Sequence, residues 1–190
     1  MHMDIYSRKI VGWSVHETEN SEYASAVLQA ACMAEQVVPN QLTLHSDNGS
    51  PMKGAIMLSK MQELGVMSSF SRPSVSNDNP FSESLFRTCK YRPDYPEKPF
   101  ETVDKAREWV ADFVLWYNTK HLHSGLRFVT PQDRHQERDK TILTARHEVY
   151  QEAYRQRPER WAKGTRNWSM VGAVKLNPKD HKEGPERVAI

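Results

Sequence analysis

Leu44-His45-Ser46-Asp47-Asn48-Gly49 and, further along, Asn77-Asp78-Asn79-Pro80-Phe81-Ser82-Glu83-Ser84 are the stretches on which the fold of this chain turns. Ahead of the first, residues 41–47 alternate Leu42 and Leu44 with polar side chains, the period of two that marks a strand with one covered face. Asp47 stands at its end, and the Asn48-Gly49 turn behind it lets backbone approach a ligand closely. In the second stretch Asn79 followed by Pro80 is a helix-start signature, which puts Glu83 in the first helical turn. A strand end and a helix start thus each carry a carboxylate, with 35 residues between them. Two carboxylates brought together are costly unless a cation sits between them. Two Mg²⁺ ions held in this way can activate an attacking oxygen and stabilise a leaving oxygen in phosphodiester chemistry.

Outward from these stretches, residues 5–16 read as a strand end, a turn at 7–9 and a strand over 10–16. A helix follows from Asn20 or Ser21 to about Val38, with Tyr23, Val27, Ala31, Ala34 and Val38 at helical spacing. Residues 52–64 suit a single helix ended by Gly65, and 66–70 a short strand. Ser, Asn, Pro and Asp crowd residues 71–80, which predicts a mobile loop. The helix bearing Glu83, Leu85, Phe86 and Lys90 stops before Pro93, and Pro93, Pro96 and Pro99 form a stiff connector. An amphipathic helix over 102–119 carries Trp109, Phe113, Trp116 and Tyr117, a stripe read as core. Another turn begins at Thr130-Pro131, and the stretch from 138 is helical to about Gln156. Alternating strands and helices predict an α/β fold.

At 190 residues the chain fits one domain plus a tail. No apolar run approaches the roughly 18 residues of a membrane helix, and the first residues lack the pattern of a signal peptide. Only Cys32 and Cys89 are present, which argues against a disulfide framework and fits the cytoplasm. Cys89 reads as a small buried residue. Residues 1–84 hold five bases against nine acids, and the remaining 106 hold 21 bases against 15 acids. That asymmetry suits a protein meeting a cation through one region and a polyanion through the other. Arg155, Arg157, Arg160, Lys163 and Arg166, interleaved with Trp161 and Trp168, suit either DNA or a neighbouring subunit. His45, His121 and His123 have no structural-zinc spacing and read as packing or phosphate contacts.

Taken in order, these segments resemble the DDE insertion-sequence transposases and retroviral integrases. Leu44 to Gly49, Ser71-Arg72-Pro73 and Asn77 to Ser84 resemble the surroundings of the family's second and third acids. Residues 3–13 resemble the segment after its first strand, and Trp116-Tyr117-Asn118, His121, His123-Ser124-Gly125-Leu126 and Thr130-Pro131 the segment after the third acid. The resemblance implies an RNase H-like catalytic core, a mixed sheet with flanking helices, over 1–137, and a basic helical tail over 138–190. It implies Asp47 and Glu83 as catalytic metal ligands for two Mg²⁺ or Mn²⁺ ions. Asn48, Arg72, Arg87, Lys90 and Arg92 are the expected DNA contacts. Element ends and target DNA are the implied substrates, and a homo-oligomer or a full-length transposase the implied partner.

The family's first acid lies mid-strand in a Trp-x-x-Asp-(Ile/Val)-Thr pattern that this sequence does not contain. Asp4 belongs instead to the later Asp-x-x-Ser-Arg motif and is read as a turn cap. The expectation is therefore an N-terminally truncated core, its first strand missing, inactive alone. The alternatives are a regulatory fragment that binds DNA or transposase, and a working nuclease that recruits Asp4.

Overall fold

In the computed structural model, which describes residues 1–72 and 78–176, the chain opens as an antiparallel hairpin of β1 (His2–Met3) and β2 (Ile10–Gly12). Asp4 builds its turn. Its carboxylate accepts from the Tyr6 and Ser7 amides at 3.0 and 3.1 Å and from the Ser7 hydroxyl at 2.5 Å. Arg8, at φ 66°, takes the left-handed residue of that turn. β2 is shorter than expected, because at Gly12 the chain closes on the next helix: a Cβ there would stand 3.0 Å from Val27 Cγ1.

That helix, α1 (Ser21–Ala34), starts at Asn20, whose side chain accepts from the Glu22 amide at 2.8 Å. It ends short of the expected Val38, with Gln36 at φ 52°. Ser25, Leu28, Ala31 and Cys32 are its buried residues, while Tyr23 and Val38 lie 40% and 55% exposed. β3 (Thr43–Ser46) then runs parallel to β4 (Met67–Phe70), in register from Thr43 opposite Met67 to Ser46 opposite Phe70. The expected helix between them is two: α2 (Ser50–Lys53) and α3 (Ala55–Leu64), broken at an extended Gly54. A Cβ on Gly54 would stand 2.1 Å from Ser21 Oγ and 3.0 Å from Ser21 Cβ, so a side chain there would have to displace the start of α1. Gly65 closes α3 in the left-handed conformation, as expected.

α4 (Pro80–Lys90) and α5 (Val103–Thr119) complete the first half of the fold. Among the described residues the two strand pairs are not hydrogen-bonded to each other, and the cores beneath them are distinct. Ile10, Leu85, Cys89, Phe113, Val114 and Tyr117 form one; Leu28, Cys32, Met57, Met61 and Val66 form the other. The aromatic stripe of α5 is core, with Phe113 fully buried and its ring centroid 5.7 Å from that of Trp109. Asn118 acts as a substitute strand: its side chain accepts from the Ile10 amide at 2.9 Å and donates to the Ile10 carbonyl at 3.0 Å.

The last part of the chain, α6 (Pro131–His135) and α7 (Asp139–Gln156), packs over Leu126, Val129, Leu143 and Trp168. Arg134 is buried, paired with Asp139 and donating to the Val171 carbonyl. This pair straddles the boundary expected between core and tail, at 137 and 138.

Candidate active site

Asp47 follows the last residue of β3, and its Oδ1 accepts from the Gly49 amide at 3.1 Å, closing the Asn-Gly turn. Asn48 donates to the Ser71 carbonyl at 2.8 Å, tying the ends of β3 and β4 together. His45 braces the same strand end. Its Nε2 lies 3.0 Å from the Asp78 carbonyl, which can only accept, so Nδ1 is left to take the Ser69 hydroxyl at 3.0 Å. Glu83 sits in the first turn of α4, its amide bonded to the Asn79 carbonyl at 3.2 Å. Asn79 holds the N-cap position, yet its side chain makes no capping bond, and Pro80 alone marks the helix start.

These elements face one groove of about 850 Å³, which Asp47, Asn48, Arg72, Glu83, Arg87 and Lys90 all line. Glu83, Arg87 and Lys90 fall at i, i+4 and i+7 on one face of α4. Arg92, expected beside them, lies outside the groove lining. It pairs with Asp94 at 2.5 Å and lies 4.6 Å from the centre of the Trp116 ring. Phe86 and Tyr91 line the groove as well, a pair the sequence reading did not assign to the site. Their spacing from Glu83, three and eight residues on, was the available signal.

Arg72 is committed to Asp78, with Nε and Nη2 donating at 3.0 and 2.9 Å and the Arg72 amide at 2.8 Å. The two residues bracket 73–77, the part of the expected mobile loop that lies outside the described residues. These donors, the guanidinium first, pull the Asp78 carboxyl down from 3.8 to about 2. The folded value is depressed, so the clamp's contribution is complete above the unfolded value and is lost as pH falls from about 4 to about 2. An NMR titration is expected to place the Asp78 midpoint near 2; a midpoint near 4 would mean the clamp does not form in solution.

Asp4 lines a different cavity, of about 420 Å³ between the hairpin and β3, together with Glu35 and His135. There His135 Nε2 donates to Glu35 at 2.8 Å, and Nδ1 stands 3.1 Å from the Ser7 hydroxyl. His121 and His123 pack against Tyr117 rather than facing either carboxylate, and burial pushes His123 down to about 4. Among the described residues no three His, Cys, Asp or Glu side chains are arranged so that they could hold a metal ion. By residue type Asp47 and Glu83, both lining the groove, could each ligate Mg²⁺, which typically takes one or two protein carboxylates and completes its shell with water and substrate phosphate. A pair of ions would need further anionic ligands than these residues supply.

Residues 1–76 match one integrase core domain family and residues 64–131 a second. The chain is 34% identical over 134 residues to the transposase for insertion sequence element IS904 of Lactococcus lactis, covering 70% of this chain and 52% of that protein. It is 24% identical over 131 residues to the transposase for insertion sequence element IS629 of Shigella sonnei, covering 69% of this chain and 43% of that one. In the simian T-cell lymphotropic virus intasome bound to a regulatory subunit of PP2A, one chain superposes with a TM-score of 0.50 at 15% identity. That match covers 63% of this chain and 41% of that one. Mixed α/β architecture, strand-end acid and helix-start acid together define an integrase core of the RNase H-like type. The chain belongs to the integrase core superfamily, on the side of the insertion-sequence transposases. It spans about half the length of the curated relatives it matches. No helix among the described residues is long and apolar enough to cross a membrane.

Proposed function

We propose that this chain supplies the DNA-processing groove of an insertion-sequence transposase, with Asp47 and Glu83 as its metal-binding carboxylates. The observation that carries the proposal is the shared groove, where two acids from separate elements stand beside Arg87 and Lys90. A divalent cation bound there would polarise a phosphodiester and favour an oxygen nucleophile over water's ordinary proton-bound form. The protein's own part is positional. The Asn48–Ser71 bond holds the strand end, α4 presents Glu83 from a rigid element, and the two cations on the same helix face engage phosphates on either side. DNA ends and target are the substrates, and further chains of transposase the partners. Asp4 is consumed by its turn, leaving the groove two carboxylates, so the chain alone binds DNA without cleaving it.

Mn²⁺, used as a paramagnetic probe in Mg²⁺'s place, is expected to broaden the resonances of 46–49 and 82–87 before all others. Changing even an outer-shell partner of a metal commonly costs 10–100-fold in affinity, so Asp47→Asn should weaken Mn²⁺ binding by about 100-fold or more. Equal Mn²⁺ affinity in the Asp47→Asn/Glu83→Gln double variant would end the metal assignment. Robust Mg²⁺-dependent cleavage by residues 1–190, abolished by Asp4→Asn, would overturn the assigned role of Asp4.

A further inference from the structure

Tyr91 is 80% exposed, more than any other large apolar side chain among the described residues, and it belongs to none of the buried clusters. Phe86, on the same groove, is 46% exposed. The backbone of Tyr91 is anchored. It directly follows α4, and its amide bonds to the Arg87 carbonyl at 3.0 Å. The Arg87 guanidinium lies 5.7 Å from the centre of its ring. Carboxylate, cation and aromatic ring therefore follow one another along one wall of the groove, from the first turn of α4 to the residue just past its end. At 1.5 Å per residue, Glu83 and Tyr91 are separated by roughly 12 Å along the axis.

We propose that Tyr91, backed by Phe86, is a stacking platform for an unpaired base, so that the groove takes DNA whose end is frayed rather than fully duplex. The inference rests on the DNA-processing reading above and adds the form of the substrate. A base inside a duplex has both faces covered by its neighbours, and a paired terminal base has one open face, held in line with the helix stack and unable to turn onto a ring. A base freed from its partner gains by laying its face on an aromatic side chain, whatever its identity, while a neighbouring cation engages its phosphate. The charge beside the platform decides between occupants. With Arg87 and Lys90 flanking the rings, the groove is suited to a polyanion and not to an apolar helix of another protein.

Two hairpin DNA probes test this with the full chain, one paired to its end and one with several unpaired terminal nucleotides, each carrying terminal 2-aminopurine. The wild-type chain is expected to bind the frayed probe roughly ten-fold more tightly and to quench its fluorescence through stacking. Tyr91→Ala should bring the affinity for the frayed probe down to that for the paired one and abolish the quenching. Tyr91→Phe should keep both, and Tyr91→Leu neither. At 80% exposure none of these changes touches the core, and circular dichroism checks that each variant is folded. Equal binding of the two probes by the wild-type chain, or a preference that survives Tyr91→Ala, overturns the platform while leaving the DNA-processing reading intact. Failure to bind either probe at low salt overturns both. Loss of self-association in Tyr91→Ala with an unchanged probe preference makes the ring a protein contact and also overturns it.

Discussion

Asp139→Ala is expected to destabilise the protein by about 3–5 kcal/mol, the cost of leaving one member of a buried ion pair without its partner. The side chains of Arg134 and Asp139 are 1% and 3% exposed, so water cannot take over the vacated role. Arg134 would retain the Val171 carbonyl and the Tyr6 ring, 4.0 Å below its guanidinium, and neither carries a full negative charge. Domains of this size hold on the order of 5–15 kcal/mol in total, so the loss should be plain in a urea or thermal unfolding curve. Replacing both partners, as Arg134→Met with Asp139→Leu, should recover much of it, because the burial cost of both charges disappears with them. A change under 1 kcal/mol for Asp139→Ala would mean that the pair is hydrated in solution.

The second large effect is expected at Asn118, which answers both backbone groups of Ile10 from the last turn of α5. Asn118→Leu keeps the volume and abandons an N–H and a C=O in a place where Ile10 is 3% exposed. Each orphaned group costs about 1–3 kcal/mol, so a loss of roughly 2–6 kcal/mol is expected. Asn118→Asp separates the two bonds: an ionised carboxylate still accepts from the Ile10 amide but repels its carbonyl. Protonation restores the donor, so the deficit of Asn118→Asp relative to wild type should shrink as pH falls through the carboxyl's raised folded value. A deficit independent of pH would place the damage elsewhere.

How much of this was legible in the sequence varies with the length scale of the cause. The strand before Asp47 and the helix carrying Glu83 are written locally, in a two-residue alternation, an Asn-Gly turn and an Asn-Pro pair. Gly65 and the Asp4 turn were equally local. The break at Gly54 was not, because its cause is Ser21, a residue of another helix, and the apolar spacing of 52–64 runs through it undisturbed. α1 misled for the same reason. Its apolar spacing suggested a face through Tyr23, Val27, Ala31, Ala34 and Val38, of which Ala31 alone is buried, whereas contacts with both α3 and the hairpin bury Ser25, Leu28 and Cys32 beside it. Arg92 looked like a phosphate contact in a basic run, but Asp94 and Trp116 claim it. Asp139 was one acid within a stretch read as a basic helical tail, and only its meeting with Arg134 makes it structural.

The division of the interior bears on how ligands and stability are linked. Asp47 extends from the strand pair that covers Leu28, Met57 and Met61, and Glu83 from the helix that covers Ile10 and Phe113. No strand-to-strand hydrogen bond among the described residues joins these two bodies. They meet through α1, which packs on the hairpin as well as on α3, and clusters buried separately in this way commonly open to solvent exchange with free energies of their own. Whatever bridges the two carboxylates, a cation or a phosphate held by one, acts as a staple between them. It binds only while both are closed, so it raises the opening free energy of each by the same increment and merges two partial unfolding events into one.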